Sequence, residues 1–73
     1  MKWYFDSVFG RMTIEPKRNG KYALEIDGDE VSSAYNPDQL ADNVYTHTSD
    51  FLEWDISDEE GPTDLSDWSF LSL

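Results

Sequence analysis

An α+β domain is what this sequence predicts: a three- or four-stranded antiparallel sheet with one amphipathic helix packed on it, a single small domain over residues 1–73. Three observations carry the prediction. Asn19-Gly20 and Asp27-Gly28 both suit the positive-φ positions of tight hairpins, and they bracket an alternating segment. Asn36 to Thr48 is a capped stretch with apolar residues at helical spacing. Aromatic residues make up 15% of the chain, too many for an acidic tail that stays disordered.

Lys2 to Asp6 (KWYFD) is aromatic-rich and reads as a first, edge-like strand. Gly10 marks a turn, after which Met12 and Ile14 alternate with Thr13 and Glu15 until Pro16 ends the strand. Past the Lys17–Gly20 turn, Tyr22, Leu24 and Ile26 face inward and Lys21, Ala23 and Glu25 outward. Asp27-Gly28-Asp29 turns the chain back as a shorter, more polar strand, Glu30 to Tyr35, with Val31, Ser33 and Tyr35 on the inner side. Asn36 is a good N-cap, Pro37 takes the first helical position, and Gln39 can close a capping box. Leu40, Ala41, Val44 and Tyr45 then form one stripe, continued by Thr48. Phe51 to Ile56 fits a short strand or an irregular packed segment, and Ser57 to Ser66 is an acidic loop holding Gly61 and Pro62. The apolar ending DWSFLSL docks through Trp68, Phe70 or Leu71; alternatively Leu65 to Leu73 forms a terminal helix or an oligomer contact.

A chain this short buries only about 60% of its unfolded surface. With 38% hydrophobic residues the core is small, and large aromatic rings supply much of it. Cysteine is absent and His47 is the sole histidine, which excludes disulfides, thiolate metal sites and histidine-rich metal sites. The N-terminal MKWYFDSVFG has only a short, interrupted apolar run, unlike a signal peptide, and no segment approaches the roughly 20 apolar residues of a membrane span. A cytoplasmic location fits these features.

Charge is the outlying property. The net is −11, and it is split along the chain. All five basic residues (Lys2, Arg11, Lys17, Arg18, Lys21) precede Tyr22, with only Asp6 and Glu15 among them, giving +3. From Tyr22 onward there are fourteen acids and no Lys or Arg. Such a chain is repelled by nucleic acid and by anionic membranes, and is drawn to a basic protein surface.

No catalytic signature stands out. Asp27-Gly28-Asp29-Glu30 and Ser57-Asp58-Glu59-Glu60 lack the ligand spacing of a calcium loop and read as solvated turns. Acid pairs could serve glycoside hydrolysis, but the chain is small for a substrate cleft. His47 reads as a C-terminal helix residue rather than a base for Ser49. Arg11, Lys17, Arg18 and Lys21 read as intramolecular partners or a solubilising hairpin tip rather than a phosphate site.

The acids themselves remain. Neighbouring phosphates of a duplex strand lie roughly 6–7 Å apart through space. A helix places i and i+4 carboxylates such as Asp38 and Asp42 about 6 Å apart along its axis. An extended segment places i and i+2 carboxylates such as Glu25 with Asp27, or Glu53 with Asp55, about 6.5 Å apart. Ordinary secondary structure can therefore present carboxylates at phosphate-like spacing. The absence of any basic residue over 52 positions strengthens that reading, since a surface shaped for solubility alone mixes both signs.

In size, charge, lack of cysteine and its β-rich-plus-one-helix reading, the chain resembles the small acidic proteins that phages encode against host defence, in particular anti-CRISPR proteins and other DNA mimics. The run KYALEIDGDEVSSAYNPDQLADNVY, a hairpin leading into a capped helix, is similar to a pattern found in small bacterial and phage proteins. The resemblance implies an inhibitor without catalysis, cofactor or metal. It would occupy a Lys/Arg-lined channel of a basic nucleic-acid-binding protein, with a PAM-reading subunit of a type I CRISPR complex as the implied target. As a monomer or dimer in the host cytoplasm, it would contact neither nucleic acid nor membrane. The pool of contacts is Asp27, Asp29, Glu30, Asp38, Asp42, Glu53, Asp55, Asp58, Glu59 and Glu60, with Asp38, Asp42, Glu53 and Asp55 favoured as the most rigidly held. Tyr45 and Trp54 are candidates for buried contact area or for the core. The alternative is a small acidic interaction module, antitoxin-like or an assembly protein, that uses its apolar C-terminus.

Overall fold

Two hairpin turns and their partner strands build the first half of the molecule, which a computed structural model describes over residues 1–72. The strands are β1 (Lys2–Ser7), β2 (Gly10–Pro16), β3 (Tyr22–Ile26) and β4 (Asp29–Ala34), followed by the helices α1 (Pro37–Tyr45) and α2 (Leu52–Asp55), a 3-10 turn (Leu65–Asp67) and β5 (Ser69–Leu71). The sheet is antiparallel throughout, in the order β4-β3-β2-β1-β5. The domain is thus α+β with five strands rather than three or four. The extra strand is β5, which pairs with β1 through Lys2↔Leu71, Trp3↔Phe70 and Tyr4↔Ser69. It moves β1 from the expected edge to the interior. Leu73, the last residue of the apolar ending, lies outside the described residues.

Asp27 (φ 50°) and Gly28 (φ 92°) both take positive φ, as the two-residue turn between β3 and β4 requires. Asn19-Gly20 makes a looser loop than expected. Lys17 N–H donates to the Lys21 carbonyl at 2.7 Å across three residues, and of the Asn-Gly pair only Gly20 is at positive φ. The Asp27 carboxylate accepts from Arg11 N–H at 3.0 Å, so it braces the neighbouring β1–β2 turn. A Cβ on Gly10 would collide with that carboxylate.

Met12, Ile14, Leu24 and Ile26 form the inner face, and Trp3, Phe5 and Tyr22 pack against it. In β4 the alternation breaks. Leu24 pairs with Ser32 but Glu25 pairs with Glu30, so Val31 is an extra, bulged residue. The parity flips there: Val31, Ser32 and Ala34 are half-buried, while Ser33 and Tyr35, expected inside, are exposed.

The chain then crosses the inner face from the β4 edge to the β5 edge. Asn36 caps α1 by accepting from Asp38 N–H at 2.9 Å. The capping box does not form, because the Gln39 amide donates to Asn43 Oδ1 at 3.0 Å. Leu40, Ala41 and Val44 are buried, but Tyr45 is 49% exposed and off the apolar stripe. The helix stops at Tyr45 rather than Thr48. His47 takes φ 60°, and the bonds Thr48 N–H to Asn43 carbonyl (2.8 Å) and His47 N–H to Val44 carbonyl (3.2 Å) close it in a Schellman arrangement. Phe51 to Ile56, expected as strand or irregular structure, contains the one-turn helix α2. It delivers Trp54 to the core, where the indole N–H donates to the Val44 carbonyl at 2.8 Å. Leu65 and Trp68 complete that core, so the C-terminal segment docks mainly through Trp68.

Lys17, Arg18 and Lys21 lie in the loop between β2 and β3, and Lys2 and Arg11 in the strands. Lys17 lies 2.8 Å from Glu25 and 3.4 Å from Glu15, and Glu25, expected to face outward, is only 8% exposed. Hydrogen bonding with the Glu25 side chain holds the Glu15 carboxyl below its ordinary value; desolvation opposes this and Lys17 adds to it. A depressed carboxyl contributes stability above its unfolded pKa and loses it as pH falls through the folded one. Acidification below about pH 4.5 is therefore expected to weaken this corner. Lys17 helps to hold the Glu15 carboxyl down, so Lys17→Met is expected to destabilise the domain at neutral pH and to do so less in acid. Urea unfolding at the two pH values checks it; an equal cost at both would oppose it.

Candidate functional site

The fold separates the charges into two layers. Residues 1–35, which form the first four strands, carry five basic and six acidic residues; residues 36–68, which cover the inner face, carry ten acids and no Lys or Arg. Nine of those ten acids are exposed. Among the described residues, the ion pairs are Arg11–Asp6 at 2.7 Å and those of Lys17 with Glu25 and Glu15. Arg11 also lies over the Tyr4 ring (4.3 Å) and Lys21 over Tyr35 (5.1 Å). Arg11 and Lys17 are therefore used within the sheet, on acids outside the predicted pool. Hydrogen bonding to Arg11 holds Asp6 below its ordinary value.

The pool itself divides. Asp38 and Asp42 are exposed, one turn apart on α1, with no basic residue in its last turn. Glu53 is exposed, but it and Asp55 lie on a helical turn rather than an extended segment, so they do not share a face at strand spacing. Asp55 is committed internally. Its carboxylate accepts from Ser49 N–H (3.0 Å), Ser49 Oγ (2.7 Å) and Asp50 N–H (3.1 Å). The Glu25–Asp27 pair also fails, because Glu25 is bound to Lys17 and Asp27 sits in a turn, holding Arg11 N–H. Asp29 and Glu30 are exposed at the start of the edge strand β4. Asp58, Glu59 and Glu60 are exposed in the loop after α2. Asp50, Asp64 and Asp67 belong to the same layer but were not singled out from the sequence, where they fall in turns without periodicity. Of them, Asp64 is engaged, capping the 3-10 turn through Ser66 N–H at 3.0 Å.

Open grooves are found among the described residues at two places of opposite charge. One, of about 490 Å³, is lined by Lys17, Arg18, Asn19, Lys21, Glu30 and Ser33 at the β2–β3 hairpin. The other, of about 370 Å³, lies in the acidic layer between Tyr45, His47, Glu60, Gly61 and Thr63. His47 is beyond the helix rather than in it. Its ring stacks on Trp54 (5.1 Å between centroids, 5° between planes), and its Nε2 donates to the Glu59 carbonyl at 2.8 Å. Ser49 Oγ is buried on Asp55, so no Ser–His pair forms. Trp54 is 1% exposed and belongs to the core, leaving Tyr45 as the exposed aromatic of the two. Among the described residues, no three His, Asp or Glu side chains converge to hold a metal, and no helix is long and apolar enough to cross a membrane. No family model, curated protein or solved structure matches the chain.

Proposed function

We propose that the protein is a non-enzymatic inhibitor that mimics nucleic acid and occupies the basic, PAM-reading surface of a host defence effector, a type I CRISPR complex. One observation carries the reading: the covering layer holds ten acids and no Lys or Arg, and the ion pairs among the described residues use none of them. Fixed negative charges on one side of a small fold repel one another in water and are relieved by a cationic groove. Asp38 and Asp42 are the strongest contacts, because a capped helix holds both.

The test is displacement of target duplex from a purified type I complex. The wild-type chain is expected to displace duplex near stoichiometric amounts, and Asp38→Asn with Asp42→Asn to require roughly tenfold more protein. Equal displacement by wild type and the double variant, or none by either, would refute the reading. A second reading, an interaction module that uses the C-terminus, is favoured by Phe70 and Leu71, which remain exposed on β5. Its binding would change little with salt, whereas a mimic's falls steeply.

A further inference from the structure

We infer that the groove bounded by Tyr45, His47, Glu60, Gly61 and Thr63 is a receptor for a single arginine side chain of a basic partner protein. This deepens the acidic-layer reading and rests on it. The groove is a true concavity of about 370 Å³ in a layer that is otherwise helix surface and loop. One wall is the half-exposed ring of Tyr45, which ends α1. Tyr4 and Tyr35 each have a cation of this chain over the ring, Arg11 and Lys21 respectively; Tyr45 has none among the described residues. The layer holds no Lys or Arg that could supply one.

The remaining walls are fixed. His47 is locked by its stacking on Trp54 and its bond to the Glu59 carbonyl, which ties the loop to the end of α1. Gly61 lies so close to the core that a Cβ would stand 3.0 Å from the Trp54 ring and 3.2 Å from Val44. The backbone beneath the groove is therefore seated on packed side chains. Glu60 and Thr63, both exposed, are the acidic and hydroxyl residues of the lining.

That combination selects a planar cation. A guanidinium stacks on an aromatic face while its edge donates to a carboxylate in a fork, and it gives up its hydration more readily than an ammonium. A lysine would make the charge contact without the stacking. The hairpin groove, lined by Lys17, Arg18 and Lys21, has the wrong sign for either.

The test is heteronuclear NMR titration of the full chain with hexa-arginine and with hexa-lysine. Hexa-arginine is expected to bind several-fold tighter, with amide shifts centred on Tyr45, Gly61 and Thr63. Tyr45→Leu is expected to weaken hexa-arginine about fivefold and abolish the preference over hexa-lysine, while Tyr45→Phe retains both. Glu60→Gln, at an exposed loop position, gives an independent loss of about threefold. The inference is overturned if Tyr45→Leu binds hexa-arginine as wild type does, or if the shifts spread over the layer without a centre. In that event, a loss of affinity in Asp38→Asn with Asp42→Asn still supports the acidic layer. No binding of either peptide removes both readings.

Discussion

Trp54→Ala is expected to remove roughly half or more of the domain's stability at room temperature. A domain of this size has a stability of roughly 4–11 kcal/mol, and removing a buried tryptophan costs about 3–5 kcal/mol in lost burial and residual cavity. The cost should lie at the upper end here, because several elements meet on this one ring. Phe5 from β1 and Phe9 from the β1–β2 turn present their edges at 6.0 and 6.3 Å, His47 stacks on the ring face, and Gly61 presses against it. The indole N–H also satisfies the Val44 carbonyl near the C-terminus of α1.

A gentler pair of variants separates packing from hydrogen bonding. Trp54→Phe keeps an aromatic ring but removes one of the two bonds to the Val44 carbonyl, leaving that from His47 N–H and adding about 0.5–1.5 kcal/mol to the packing loss. Trp68→Phe removes an indole N–H that is buried with no acceptor among the described residues, so none of their bonds is lost. The first is expected to lower the melting temperature well beyond the second. Thermal unfolding followed by circular dichroism decides it, and equal shifts would mean that the Val44 bond contributes little.

Local chemistry made half of this fold legible. Asp27-Gly28 named its own turn, Asn36-Pro37 named the helix start, and Met12, Ile14, Leu24 and Ile26 gave the inner face. What stayed hidden depends on contacts distant in sequence or on runs too short for a period. Three residues of β5 carry no alternation, and their partner β1 lies at the other end of the chain. The one-turn helix α2 has no helical repeat to detect. The end of α1 was misplaced because His47 fills a left-handed position where glycine is the usual signal. Val31 reversed the facing of Ser33 and Tyr35 because nothing in a strand's composition announces a bulge.

The site followed the same division. Asp38 and Asp42 were readable as an exposed helical pair. That Asp55 caps Ser49 and Asp50, and that Lys17 reaches Glu25 rather than an acid of the covering layer, depends on backbone paths and strand register. Composition alone could not reveal that the pairing spends Arg11 and Lys17 on the sheet. The sequence separates the charges along the chain, and the fold keeps them apart by using Arg11 and Lys17 within the sheet.

Raising sodium chloride should act on stability and on binding with opposite signs, and this is the sharpest consequence of that separation. In the isolated chain, screening weakens repulsion among the ten acids of the covering layer, Asp38 and Asp42 included, where like charges a turn apart oppose the helix by about 0.2–0.5 kcal/mol. It also weakens attractions, but these are few among the described residues: Arg11–Asp6 is an exposed pair that water already screens, and Lys17–Glu25 is sheltered from salt by the burial of Glu25. Repulsion dominates, so going from about 10 to about 300 mM salt, where the Debye length drops from about 30 Å to under 10 Å, should add about 1 kcal/mol. For a domain this small that is a rise in melting temperature of about 4–8 °C. Over the same range, direct binding of the chain to the basic target, with no duplex present, should weaken at least tenfold, because the attraction that drives it is being screened. A melting temperature that is flat or falls with salt would mean that the acids are too dispersed to repel. Binding insensitive to salt would transfer the contact to Phe70 and Leu71, whose apolar contacts sodium chloride leaves nearly unchanged.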